Sequence, residues 1–148
     1  MRIERVVDAA AVHEGAALFD GPPLTRATAD FLVRPGHHLL FAYDDSGRVV
    51  GMVSGVETAH PDKGVEMFLY ELSVAEDARR LGIGTALTRA LAALARNRGC
   101  YGMWVGVEPD NEAALATYRR AGAGEAAPCL MLAWDLGTEA DLLPASEA

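Results

Sequence analysis

At 148 residues, 51% of them hydrophobic, the chain is long enough to bury a core and of a size for one domain. A formal net charge of −8 argues against general nucleic-acid binding and suits cationic partners, because an acidic surface concentrates positively charged molecules. No apolar run reaches membrane-spanning length, the charged start Met1-Arg2-Ile3-Glu4-Arg5 has no signal-peptide core behind it, and Cys100 and Cys129 have neither metal-ligand spacing nor the density of a disulfide scaffold. A cytoplasmic protein with buried free thiols is expected.

In chain order, Ile3 to Val7 reads as a first strand and Ala9 to Phe19 as a helix with Asp8 as its N-cap. Gly21-Pro22-Pro23 breaks the chain, and Arg26 to Val33 forms a second helix capped by Thr25 and ending before Arg34-Pro35-Gly36. His38 to Tyr43 and Val49 to Thr58 are β-rich runs joined by Asp44-Asp45-Ser46-Gly47, a hairpin signal. Glu66 to Val74 is apolar on both faces, as a central strand covered by helices should be. A helix from Gly82 to Arg98 carries Ile83, Leu87, Leu91 and Leu94 on one face, with Gly99 to end it. A fifth strand over Tyr101 to Val107, a fourth helix over Asn111 to Ala121 and a last strand over Leu130 to Leu136 follow. Residues 1–136 make the domain; 137–148 read as a mobile acidic tail.

The run Ala78-Arg79-Arg80-Leu81-Gly82-Ile83-Gly84-Thr85 links strand to helix and reads as a phosphate-binding turn. Gly82 and Gly84 let backbone approach an anion, the helix's first N–H groups point outward, and Arg79 and Arg80 add positive charge. Neither G-x-x-x-x-G-K-[ST] nor G-x-G-x-x-G spacing is met, so the common nucleotide signatures are excluded here. Glu71 interrupts a mostly apolar row, on the strand face shared with Met67, Leu69 and Ser73 by simple alternation. A carboxylate so placed serves either as a general base or as the partner of a neighbouring cation. Tyr118 is either a phenol at a reaction centre or a core tyrosine bonded to backbone. Asn111, after Pro109-Asp110, suits an N-cap. His37, His38 and His60 show no H-x-x-x-H or cysteine partner spacing, so no metal site is expected.

Three ordered motifs give the chain its resemblance to the GNAT superfamily of acetyl-CoA-dependent N-acyltransferases. Tyr70-Glu71-Leu72-Ser73-Val74 is similar to that family's central strand, Arg79 to Gly84 to its R/Q-x-x-G-x-G/A loop, and Asn111, Ala114, Tyr118 and Gly122 to its N-x-x-A-x-x-x-Y-x-x-x-G helix. The likeness spans roughly residues 38 to 136, with Thr117 and Ala123 departing from the usual apolar and aromatic residues. It implies an α/β fold: a mixed, mostly antiparallel sheet flanked by helices and splayed between strands four and five. It implies that Leu72, Ser73 and Val74 pair through their backbones with the pantetheine arm of acetyl-CoA, and that a backbone N–H of Leu72 or Ser73 polarises the thioester carbonyl. Arg79, Arg80, Leu81, Gly82, Ile83, Gly84 and Thr85 would hold the pyrophosphate, with Asn111, Ala114 and Tyr118 completing the cofactor site. Tyr118 would protonate the departing thiolate, Glu71 would serve the amine as base or anchor, and no metal would be needed.

Within the superfamily, Met67 to Val74 and Ala133-Trp134-Asp135-Leu136 resemble segments of the aminoglycoside 3-N-acetyltransferases, with Glu71 where they carry aspartate. The implied acceptor is a polycationic aminoglycoside, acetylated at its 3-amino group and ringed by Asp20, Glu71, Glu108, Asp110, Glu112 and Asp135. A polyamine, a small metabolite amine or a protein amine is the alternative acceptor, and an acyl-CoA-binding module without turnover the alternative outside enzymes. A homodimer is compatible with the resemblance; nucleic-acid and membrane partners are not expected.

Overall fold

The computed structural model describes residues 1–137. Its sheet has the order β1 (Arg2–Arg5), β2 (His37–Tyr43), β3 (Val49–His60), β4 (Gly64–Val74) and β5 (Met103–Trp104). The first four strands pair antiparallel and β5 pairs parallel to β4. Helix α3 (Ile83–Asn97) packs on one face of the sheet. Helices α1 (Ala9–Glu14) and α2 (Thr25–Val33) lie on the other, and α4 (Glu112–Arg120) lies beside α3.

Local chemistry sets most boundaries. The Asp8 carboxylate accepts the Ala11 N–H at 2.9 Å and starts α1. That helix stops at Glu14 rather than Phe19 because Gly15 rests on Phe41: a Cβ there would sit 2.4 Å from the ring, so the chain tightens into a 3-10 turn over Ala16–Leu18. Thr25 is the first residue of α2 rather than its cap; Leu24 occupies the cap position and makes no side-chain cap bond. In the β2–β3 turn, Asp44 accepts from the Ser46 N–H and hydroxyl and from the Arg48 N–H. The Ser46 hydroxyl, ahead of the Arg48 contacts, holds the Asp44 carboxyl at a pKa of about 2.

Two apolar layers sandwich the sheet. Leu87 and Leu91 of α3 are fully buried against Val53, Met67 and Leu69. They come close because β3 carries glycine beneath them: a Cβ on Gly51 would lie 2.9 Å from Leu87, and one on Gly55 2.9 Å from Leu91. On the opposite face Leu39, Phe41 and Met52 pack with Val12 and Leu18.

Strand β4 does not alternate simply. Ser54 pairs with Glu71 and Gly55 with Leu69, leaving Tyr70 as an unpaired bulge residue. Met67 and Leu69 therefore face α3, whereas Glu71 and Ser73 face the α1–α2 side. The expectation that Glu71 shares a face with Met67 and Leu69 is corrected by this one extra residue.

The C-terminal part of the fold is thinner. Strand β5 is two residues long where Tyr101 to Val107 was expected, with Gly102 and Gly106 flanking the paired stretch and offering no side chain to pack. Leu130 to Leu136 forms no strand. It has no ladder partner, and Leu130 is 91% and Trp134 78% exposed. Cys100 is partly buried against the α3 core, but Cys129 at the start of that segment is exposed, contrary to the expectation of two buried thiols. Of the expected tail only Gly137 lies within the described residues.

Candidate active site

After Phe68 and Trp104, β4 and β5 part. The splay opens a cleft of about 1190 Å³, floored by Leu72, Ser73 and Val74 and walled by the residues preceding α3, by Gly106, Val107 and Glu108, and by α4. On this side the backbone of Leu72 to Val74 has no strand partner, so part of its hydrogen-bonding capacity is open to a ligand. Arg79 spans the cleft's end, its Nε donating to the Val74 carbonyl at 3.2 Å.

The turn before α3 is wound left-handed twice. Gly82 has φ +79° and Arg80, unusually for a residue with a side chain, φ +63°. Ala86 is the first residue to bond back into the helix, to the Gly82 carbonyl, so the N–H groups of Ile83, Gly84 and Thr85 are free to meet an anion. Arg79, Arg80, Gly82, Ile83, Gly84 and Thr85 all line the cleft, whereas Leu81 does not and is 73% exposed. Gly84 is also a packing requirement, since its Cβ would lie 3.2 Å from the Thr117 methyl. Thr117 turns that methyl toward Gly84 and its hydroxyl to the Ala113 carbonyl, so the departure at this position fits a close helix crossing.

Helix α4 presents Ala113, Ala114, Ala116, Thr117 and Arg120 to the cleft, with Tyr118 alongside. Asn111 caps it, its Oδ1 accepting the Ala114 N–H at 3.1 Å. The Tyr118 hydroxyl has no hydrogen-bond partner among the described residues, which sets it apart from a core tyrosine tied to backbone, and burial pushes its pKa up.

A second cavity of about 260 Å³ opens on the opposite face, between β4 and the α1–α2 segment. Glu71 and its cross-strand partner Ser54 contribute its polar groups at the sheet; Phe19, Leu24 and Phe31 form much of its wall. Burial, and secondarily the charge of Asp20, push the Glu71 carboxyl above the usual carboxylate range.

The six expected acceptor carboxylates are not brought together. Asp20 acts on Glu71, but Glu108 lines the larger cleft, Asp110 and Glu112 flank the start of α4, and Asp135 sits on the unpaired segment, accepting from the Gly137 N–H. Sequence reasoning missed Arg120 and Thr117, although both follow from helical spacing after the Asn111 cap. It also missed Ser54, whose signal was a hydroxyl within the apolar run Val49 to Val56. Among the described residues no group of three or more His, Cys, Asp or Glu side chains is placed to hold a metal ion, and no helix is long and apolar enough to cross a membrane.

The profile of the acetyltransferase (GNAT) family matches residues 9–123. An L-methionine sulfoximine/L-methionine sulfone acetyltransferase of Pseudomonas aeruginosa is 32% identical over 120 residues, covering 76% of this chain and 67% of the relative. N-alpha-acetyltransferase 30 of Schizosaccharomyces pombe is 28% identical over 100 residues, covering 68% and 67%. Among solved structures, an aminoglycoside acetyltransferase from an uncultured soil metagenomic sample, bound to sisomicin, superposes with a TM-score of 0.83 at 18% identity over 92% of this chain and 96% of that one. An aminoglycoside 6′-N-acetyltransferase of Acinetobacter baumannii gives 0.74 at 17% identity over 92% and 99%. At those identities the structural likeness is one of fold.

Proposed function

We propose, from the premise that this chain belongs to the acetyltransferase (GNAT) family, that it transfers an acetyl group directly from acetyl-CoA to a primary amine held beside Glu71. The observation that carries this reading is the bulge at Tyr70, which turns Glu71 into the smaller cavity while Leu72 to Val74 border the larger cleft at the splay. Two consecutive residues of β4, Glu71 and Leu72, thus line two different cavities.

The larger cleft fits the cofactor: free N–H groups at the start of α3, Arg79 and Arg80 at its mouth, and unpaired strand backbone along its floor. Bound there, acetyl-CoA supplies an activated acetyl thioester. On the chain's side, a backbone N–H of Leu72 or Ser73 donates to the thioester carbonyl oxygen. Asp20 and Glu71 attract the amine as its ammonium ion, and Glu71, its basicity raised by burial, takes the proton that must leave before nitrogen can attack. Tyr118 gives a proton to the leaving sulfur. Neither Cys100 nor Cys129 lines either cavity, and burial raises the Cys100 thiol pKa, the opposite of what a nucleophile needs, which supports transfer without an acetyl-enzyme.

The strand resemblance at Tyr70 to Val74 and the net charge of −8 speak for the 3-amino group of an aminoglycoside, whereas the separation of Asp20 and Glu71 from the other four expected carboxylates speaks for a smaller acceptor. The test is thiol release from acetyl-CoA with gentamicin, spermidine, simple monoamines and a peptide, with product NMR to locate the acetyl group. Amine-dependent thiol release is expected and should slow in Tyr118→Phe. A protein that binds acetyl-CoA yet acetylates none of these amines overturns the reading.

A further inference from the structure

The smaller cavity carries more information about the acceptor than the need for an amine. Its wall is mostly apolar: Val12, Phe19, Pro23, Leu24 and Phe31, interrupted by Thr28, face the polar groups of Ser54, Tyr70 and Glu71 at the sheet. At about 260 Å³ it falls below the usual range for drug-sized ligands, roughly 300–1,000 Å³, so what seats inside it is a group of phenyl or leucyl size. Hydroxyl or ammonium groups pressed against those apolar side chains would lose water without gaining partners.

Charge narrows the choice further. Glu71 lines the cavity and Asp20 is close enough to act on it, whereas no Lys, Arg or His is among the lining residues. A free carboxylate beside the acceptor's amine would meet the Glu71 carboxylate and no cationic lining residue. A row of rings continues from the cavity. Tyr70, at its edge, meets Phe68 edge-on at 6.0 Å, and Phe68 stacks on Trp104 at 4.1 Å. Tyr70 is 69% and Trp104 48% exposed, leaving an apolar strip that leads away from Glu71.

We infer that the acceptor is a small monoamine whose amine-bearing end carries an apolar substituent and no free carboxylate, the substituent seated among Phe19, Leu24 and Phe31. This rests on the transferase reading above and narrows it. In the step itself the neutral amine's nitrogen bonds to the acetyl carbon as the carbon–sulfur bond breaks; Tyr118 gives its proton to the sulfur, the proton shed by the nitrogen restores the phenol, and Glu71 releases to solvent the one it took from the ammonium ion.

The test compares kcat/KM, by thiol release, for phenethylamine and phenylalaninamide against phenylalanine, spermidine and kanamycin. The first two should exceed the others by about 10- to 100-fold, the usual worth of filling an apolar pocket. Leu24→Asp places a carboxylate in the wall at an exposed helix N-cap position, where Asp is favoured and folding should be unharmed. It should cut the phenethylamine-to-spermidine ratio about tenfold or more with the KM for acetyl-CoA unchanged. Preference for spermidine or kanamycin, equal use of phenylalanine and its amide, or an unchanged ratio in Leu24→Asp overturns the acceptor class and leaves the transferase reading standing. Absence of thiol release with all five amines, while calorimetry detects acetyl-CoA binding, overturns both.

Discussion

Strands β3 and β4 hold each other through ten register pairs, interrupted only by the bulge at Tyr70, whereas β4 and β5 hold each other through two. On the first side of that seam Phe41, Met52 and Leu87 are fully buried; on the second, every residue from Gly122 to Gly137 is exposed. The contrast shows what a ligand cleft in a sheet requires. Backbone already paired to a neighbour has little left to offer a cofactor, so the well-knit half positions Glu71 and the open half provides the space that Tyr118 borders.

The sharpest break of that division of labour is Glu71→Gln, expected to lower kcat by about 10²- to 10⁴-fold with acetyl-CoA affinity little changed. Full activity in that variant would reduce Glu71 to an anchor. The acid limb of kcat/KM should lie above the usual carboxylate range, and Asp20→Asn should move it to lower pH by removing the second cause of the shift. The stability sign runs the other way. A carboxyl whose folded pKa is raised stabilises the fold least once it is ionised, so stability should fall as pH rises through the Glu71 titration and Glu71→Gln should resist urea better than the parent at neutral pH.

Leu87→Ala strikes the well-knit half itself. It removes a side chain with no exposed surface and should cost about 2–5 kcal/mol in a urea titration. A loss below 1 kcal/mol would mean that α3 settles onto Gly51 and closes the gap. Arg79→Glu acts at the seam, where it removes the tie to the Val74 carbonyl and reverses a charge; acetyl-CoA should bind about 10- to 100-fold more weakly, and less so at high salt. Equal affinity by calorimetry would place the pyrophosphate elsewhere. Smallest of all should be Leu132→Ala, within about 0.5 kcal/mol, because its side chain is 78% exposed. A loss comparable to that of Leu87→Ala would show this segment packed in solution.

What was legible was local chemistry, in both halves. Asp8 and Asn111 as caps, the Asp44 turn and the glycines at 82 and 84 each act through their immediate neighbours, and local chemistry is what a sequence displays. The face of Glu71 was misread because a two-residue period carries no mark of an inserted residue when that residue is a tyrosine rather than a glycine. The last strand was misread for the opposite reason: Leu130 to Leu136 has a strand's pattern, but a strand also needs a partner, and β5 is too short to be one. The smaller cavity stayed hidden because Phe19, Phe31 and Ser54 each look like ordinary core until the fold juxtaposes them.

The extra residue in β4 makes this strand a counter of parity. Deleting Tyr70 alone would close the bulge and leave every β3–β4 pair and both faces as they are, whereas deleting one residue between Gly64 and Leu69 with the bulge kept would swap the faces of the residues before the cut. The bulge is therefore where a one-residue change in length leaves the two faces intact. Tyr70 takes no part in the pairing, so the ladder is indifferent to which side chain stands there.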